Sequence, residues 1–197
     1  TRLDWDYSTL YAYNGYSQIA SQTHRRNTIG LTGGGSDQTY NLSYNNQGAI
    51  YQIKRDSTLL WSRNTQDALG RTTKETFGSG LITQRDYNDW TGRVESIETG
   101  TVDANSAFTP NFQDDTYTYD SLGNLLTRSQ LVANGGAAVK DTFTYDTLNR
   151  LKTTRLGSNA IQTLAYDELG NLTTKPSVGT YTYPASGATS VRPHAVT

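Results

Sequence analysis

One pattern recurs along this chain and restricts its fold more than any other feature. A strand-like run breaks on an acidic or amide residue, passes a small turn residue and resumes on an aliphatic. The clearest copy is Tyr117-Thr118-Tyr119-Asp120-Ser121-Leu122-Gly123-Asn124-Leu125. Further copies run from Tyr44 to Ile50, Gln66 to Thr72, Tyr145 to Leu151, Tyr166 to Leu172 and, with one extra residue, Tyr87 to Val94. A weaker version lies at Tyr13 to Ile19, and a degenerate last unit opens at Tyr181-Thr182-Tyr183. The residues preceding the acid or amide stand at 44, 66, 87, 119, 145 and 166, so the intervals are 22, 21, 32, 26 and 21. A period near 21 with insertions is a repeat array. The two longest intervals contain the Gly, Ala, Asn and Ser stretches Thr101 to Asp115 and Val132 to Val139, which read as lengthened loops on a regular scaffold.

Turn chemistry makes each copy a β-hairpin. A type I turn favours Asp or Asn first, because that side chain accepts from backbone amides within the turn, and Gly fourth. Asp120 with Gly123 and Asp167 with Gly170 have this separation. The glycine supplies the left-handed backbone that closes a hairpin loop with a bulge. Asn149 takes its place in one copy, and Asn tolerates the same conformation. Before each turn, Tyr117 and Tyr119, Phe143 and Tyr145, and Leu164 and Tyr166 are two apart and share a face, with Thr118, Thr144 and Ala165 on the other. A lone hairpin of this length cannot bury its apolar face, whereas stacked neighbours can.

Composition agrees. The 197 residues carry 17 basic and 18 acidic side chains, a net charge of −1, so there is no basic footprint for nucleic acid. Mean hydropathy is polar, −0.66, yet 14 Tyr and 3 Trp argue against disorder. Such a chain folds around tyrosine and threonine, which suit a pleated surface. Cysteine is absent, which excludes disulfides and thiolate zinc sites. No apolar run is long enough for a membrane-spanning helix. Opening on Thr1 instead of Met, the chain reads as a piece of something longer.

Tyr-x-Tyr-Asp-x-x-Gly-Asn/Arg-Leu at this period resembles the YD repeat of the RHS family, which includes bacterial Rhs and wall-associated toxins, the B and C components of Tc toxin complexes, and the teneurins. The closing Arg192-Pro193-His194-Ala195-Val196-Thr197 is similar to a segment that recurs between such repeats. The resemblance divides the chain into poorly matching N-terminal strands over 1–35 and a YD-repeat array over 36–197, with turns near 45–48, 67–70, 88–92, 120–123, 146–149 and 167–170. It implies an all-β array of antiparallel hairpins forming a spiralling sheet, part of a hollow shell that commonly encloses a toxic C-terminal segment of the same polypeptide. It implies as partners the rest of that polypeptide and the enclosed effector, and a secreted or bacterial cell-surface location. The self-cleavage site that releases the effector in some members has no counterpart among the repeat Asp residues, which are turn residues. Sheet edges left open in an isolated piece invite self-association or fraying.

Few residues suggest chemistry. His24 and His194 read as exposed loop histidines. Asp114-Asp115 with Asp103 lacks the regular ligand spacing of a calcium loop and reads as a solvated loop. Gly33-Gly34-Gly35 has no P-loop lysine and reads as a flexible turn. The sequons at Asn41-Leu42-Ser43 and Asn171-Leu172-Thr173 matter only in a glycosylating secretory pathway. Trp5, Trp61 and Trp90 could stack on sugar rings, although strand and rim packing accounts for most such aromatics. No catalytic, metal or cofactor residues are assigned. The sequence therefore indicates a structural shell segment and not an enzyme, with a cell-surface adhesion or carbohydrate-binding module as the alternative.

Overall fold

The computed structural model describes residues 5–28, 37–132, 136–187 and 192–197, and every regular element among them is a β-strand. The first eight are β1 (Trp5–Tyr13), β2 (Ile19–Thr28), β3 (Gln38–Tyr44), β4 (Ile50–Arg55), β5 (Thr58–Gln66), β6 (Thr72–Phe77), β7 (Ile82–Tyr87) and β8 (Val94–Val102). The remainder are β9 (Phe108–Tyr119), β10 (Leu125–Val132), β11 (Gly136–Tyr145), β12 (Leu151–Arg155), β13 (Gln162–Thr163), β14 (Ala165–Tyr166), β15 (Leu172–Lys175) and β16 (Gly179–Thr180). Strands β1 to β13 follow one another in sequence order in one sheet, and β14 to β16 do so in a second. The expected hairpin array is what forms. It divides into two compact units, Thr1–Asp86 with Glu98–Asn111 and Tyr87–Ile97 with Phe112–Thr197.

In the first unit the turns at Asn14, Asn45 and Asp67 join β1 to β2, β3 to β4 and β5 to β6. In the second, those at Asp120, Asp146 and Asp167 join β9 to β10, β11 to β12 and β14 to β15. Antiparallel order puts these turns at one end of each unit's strands, with the links between repeats at the other. Pairing slips by one residue beside each of them, as at Leu125/Thr127 and Thr144/Tyr145, the bulge that the left-handed turn residue produces. That residue has φ of 78° at Gly48, 80° at Gly70, 98° at Gly123 and 86° at Gly170, and Asn149 takes 59° in the same role.

The first of the two long intervals between copies is not a loop. Thr101 to Asp115 holds the end of β8, a tight turn and the first eight residues of the twelve-residue β9. Asp103 builds that turn as the repeat acids build theirs, its Oδ1 accepting the amides of Asn105 and Ala107, with Ser106 N–H donating to Asp103 O at 3.0 Å and Ser106 at φ 64°. Longer strands, not longer connections, absorb the insertion; the small and amide residues that suggested a loop are tolerated on a strand with one wet face. The second interval lies partly outside the described residues, but Gly136 onward is already β11.

The sheets bury little. Among the described residues Ile82, at 8% exposure, is the one buried hydrophobic side chain, while Glu75, Thr83, Asp115, Asp141 and Asn171 are buried and polar. Cohesion therefore rests on backbone ladders and cross-strand pairs. Threonines facing each other one step from the turn give Oγ1–Oγ1 separations of 2.7 Å for Thr65 and Thr73, 2.7 Å for Thr118 and Thr127, and 2.6 Å for Thr144 and Thr153.

Candidate functional site

Each repeat turn is made by one side-chain oxygen. Asp120 Oδ1 accepts the amides of Leu122 at 2.9 Å, Gly123 at 2.8 Å and Asn124 at 2.8 Å. Asp67, Asp146 and Asp167 accept the amides two and four residues on, at 2.8 to 3.0 Å. Asn14 and Asn45 do the same with uncharged oxygens. The second carboxylate oxygen takes the residue after the left-handed turn residue: Arg71 on Asp67 at 2.5 Å, Asn124 on Asp120 at 2.9 Å, Arg150 on Asp146 at 2.7 Å and Asn171 on Asp167 at 2.8 Å. These bonds hold all four carboxyls below the ordinary aspartate range. The Asn124 carboxamide does most at Asp120 and the Arg150 backbone amide at Asp146, while at Asp67 and Asp167 desolvation pulls upward and the bonds outweigh it.

The repeats are joined by a second set of contacts. Four tyrosines, three of them standing directly before a turn, donate their hydroxyls to the carbonyl of the aliphatic residue that closed the preceding turn. Tyr44 reaches Ile19 O at 2.8 Å, Tyr145 reaches Leu125 O at 3.0 Å, Tyr166 reaches Leu151 O at 2.9 Å and Tyr183 reaches Leu172 O at 2.8 Å. In the other direction, the residue after the left-handed turn residue reaches forward. Gln18 bonds Gly48 O at 3.1 Å, Asn124 bonds Asn149 Oδ1 at 3.1 Å, Arg150 bonds Asp167 O at 3.4 Å and Asn171 bonds Pro193 O at 3.2 Å. Arginine at this position also lies over the next tyrosine ring, Arg150 at 4.6 Å from Tyr166 and Arg93 at 5.8 Å from Tyr119. Burial and the Asp120 charge raise the Tyr145 hydroxyl pKa, which keeps that donor protonated.

The residues singled out from the sequence are scattered. His24 is on strand β2, not in a loop, with its ring edge-on to Tyr40 at 5.5 Å; His194 is exposed and within 2.6 Å of Asn171 Oδ1. Asp115 is not in a solvated loop: it is buried on β9, accepting from Gln113 at 2.7 Å and Tyr117 at 3.3 Å. Among the described residues no group of three His, Cys, Asp or Glu is placed to hold a metal ion. The carboxamide of Asn41 donates to Asp56 O at 3.1 Å, and Asn171 is buried. Gly33 to Gly35 and the side chain of Trp5 lie outside the described residues. Trp61 is half-buried and donates to Glu75 at 2.7 Å, whereas Trp90 is not packed at all, being 96% exposed at a turn tip. It shares that position with Tyr16, Leu69, Leu122, Leu148 and Leu169, all exposed, their backbones fixed by the turn.

Sequence reasoning missed the buried ion pairs. Arg85 bonds Glu75 at 2.6 Å, and Arg128 bonds Asp141, its cross-strand partner, at 2.7 and 3.1 Å. Asp141 also accepts the Gly157 amide at 2.9 Å. A signal was available: Asp115 and Asp141 each precede a turn acid by five residues, which places them on the tyrosine face.

Fold and joints together define a YD-type array of β-hairpins, stitched in both directions at four of its junctions. No family model matches the chain, and no curated protein matches it in sequence. Solved structures share its fold. The Photorhabdus luminescens Tc holotoxin pore matches over 88% of this chain and 9% of its own, at 21% identity and a TM-score of 0.64. The TcdB2-TccC3-TEV structure gives the same values, and TcdB2-TccC3 without its hypervariable C-terminal region matches over 86% of this chain and 11% of its own, at 18% identity and a TM-score of 0.51. This chain thus spans about a tenth of the length of the chains it matches.

Proposed function

We propose that this chain is a section of the wall of an RHS/YD-repeat shell enclosing an effector segment of a larger secreted or surface-displayed polypeptide. The observation that carries the reading is the two-way stitching of successive hairpins at four junctions, together with a face that buries almost no hydrocarbon. A globular enzyme or receptor of this size concentrates apolar side chains in a core; a wall has only its thickness. The likeness of fold to the Tc toxin chains, one of them solved without its hypervariable C-terminal region, supports it. On this reading the repeats do no chemistry, and their acids and tyrosines serve only geometry.

The test is electron cryomicroscopy of the full polypeptide that contains this chain, paired with limited proteolysis. The expected result is a hollow particle with this segment in its wall and a C-terminal segment cleaved far more slowly than when expressed alone. A particle without a lumen, or equal cleavage rates, overturns the reading. A second reading, a cell-surface adhesion or carbohydrate-binding module, is favoured by the complete exposure of Trp90. Saturable glycan binding abolished by Trp90→Ala with the fold intact would establish it in place of the wall.

A further inference from the structure

Three arginines stand directly after a left-handed turn residue: Arg71, Arg93 and Arg150. Arg71 and Arg150 pair with the acid of their own turns, Asp67 at 2.5 Å and Asp146 at 2.7 Å. Arg93 has no such acid, because its turn is built on Asn88, whose Oδ1 holds the amides of Trp90 and Thr91. The Asn88 Nδ2 donates away from Arg93's turn, to Glu95 Oε1 at 2.8 Å. The half-buried Arg93 guanidinium lies 5.8 Å from the centre of the Tyr119 ring and packs so closely on Gly123 that a Cβ there would have no room. It has no carboxylate partner among the described residues.

Arg93 and Glu95 are thus unlike charges two residues apart that do not bond each other, the first held on an aromatic ring and the second by an amide. Both line a cleft of about 380 Å³ within the second unit, which Tyr119, Asp120 and Ser121 of the next turn also line. That turn adds no unspent charge, since Asp120 Oδ1 holds three amides and Oδ2 holds the Asn124 carboxamide. It adds two hydroxyls. Tyr119 stands before its turn as Tyr145 and Tyr166 do before theirs, but its hydroxyl makes no joint. The hydroxyls of Tyr119 and Ser121 and the Oε2 of Glu95 have no partner among the described residues.

We propose that this cleft binds a free α-amino acid as its zwitterion, the carboxylate on Arg93 and the Ser121 hydroxyl, the ammonium on Glu95 Oε2 and the Tyr119 hydroxyl oxygen. A planar guanidinium fork matches a carboxylate, and an ammonium donates to carboxylate and phenol oxygens alike. A ligand of one charge would satisfy one side of the cleft and be repelled by the other; a zwitterion satisfies both. The volume lies near the lower end of the range of small-molecule sites, which suits one amino acid better than a peptide. The repeat itself does not demand this arrangement, since Arg71 and Arg150 are neutralised within their own turns. The site is independent of the wall reading, because the rim of a wall can carry it, and the failure of either leaves the other standing.

The chain is titrated calorimetrically with a panel of L-α-amino acids of small, apolar and polar side chain. The tightest binder is then compared with its amide, which keeps only the positive charge, and its N-acetyl form, which keeps only the negative; phosphocholine serves as a zwitterion without a carboxylate. The expected result is saturable binding of the amino acid, about tenfold or more tighter than either singly charged form. Arg93→Gln and Glu95→Gln should each weaken it by a similar factor, and Arg71→Gln should leave it unchanged, with circular dichroism showing each variant folded. Glu95→Gln retains an acceptor for Asn88, so the turn keeps its bond. Discrimination separates recognition from mere structure: Arg93→Gln should no longer tell the amino acid from its amide, nor Glu95→Gln from its N-acetyl form. The proposal is overturned if no amino acid binds saturably, if a singly charged form or phosphocholine binds as tightly, or if both variants discriminate as the unaltered chain does.

Discussion

Replacing Asp141 with alanine removes the acceptor of three hydrogen bonds at once, two from Arg128 and one from the Gly157 amide. Asp141 is 3% exposed, so nothing of its charge is shared with solvent in the native sheet. Removing one partner of a buried pair costs about 3 to 5 kcal/mol. The Arg128 side chain is 38% exposed, and water takes up part of its charge, which places the loss near 3 kcal/mol, inclusive of about 1 kcal/mol for the orphaned Gly157 amide. In a chain of this length that lowers Tm by about 6 to 12 °C. Because repeat arrays are stabilised by neighbours, the loss should be local: hydrogen exchange should accelerate over β10, β11 and Gly157 while the Gly70 amide in the first unit keeps its protection. The companion Arg128→Ala and the double variant complete the test, and the double should cost much less than the two singles together. A loss under about 1 kcal/mol, exchange that accelerates equally in both units, or strict additivity refutes the argument.

Gly70→Ala and Gly123→Ala should separate backbone strain from packing. Both residues have positive φ and share the strain penalty of about 1 to 2 kcal/mol, but a Cβ at Gly70 meets nothing within 4 Å, whereas one at Gly123 falls 2.2 Å from the Arg93 guanidinium. Urea midpoints should therefore show the larger loss for Gly123→Ala, and equal losses would mean Arg93 moves aside at no cost. Tyr145→Phe and Tyr166→Phe each remove one joint and should cost about 1 kcal/mol, additively in the double variant because donors and acceptors differ; a neutral result in thermal unfolding would mean these joints carry no stability. Asp67, Asp120, Asp146 and Asp167 have depressed folded pKa values, so their contribution is present above the unfolded aspartate pKa of about 3.9 and is lost as pH falls through the folded values. Stability measured from pH 6 to 2 should decline mainly below about pH 4, and Asp120→Asn should flatten that decline; an unchanged slope would contradict it.

The turns were legible in the sequence because an Asx oxygen and a left-handed residue leave one local solution, and Asn149 at φ 59° follows the rule derived for glycine. Tyrosine as a link between repeats was legible as a tendency, but its acceptor was not: Leu125 O and Leu151 O lie 20 and 15 residues away, and no local rule names them. Asp115 and Asp141 were misread or overlooked because charge in a polar chain suggests solvent, while a thin sheet buries whatever its tyrosine face carries. Trp90 was expected to pack, as most strand aromatics do, but it occupies a turn tip where the backbone is fixed from below and the ring has nothing to lie on.

The tyrosine joints also set an order of assembly. Each of these phenols seeks a carbonyl already behind it in the chain, so a hairpin leaving the ribosome finds this fastening point in place, while the forward joints close only when the next turn arrives. Growth by that rule comes in units of two strands. One added strand would send the next turn to the opposite end and carry its tyrosine away from its acceptor. An array built this way can change length across evolution without redesign, but only by whole stitches.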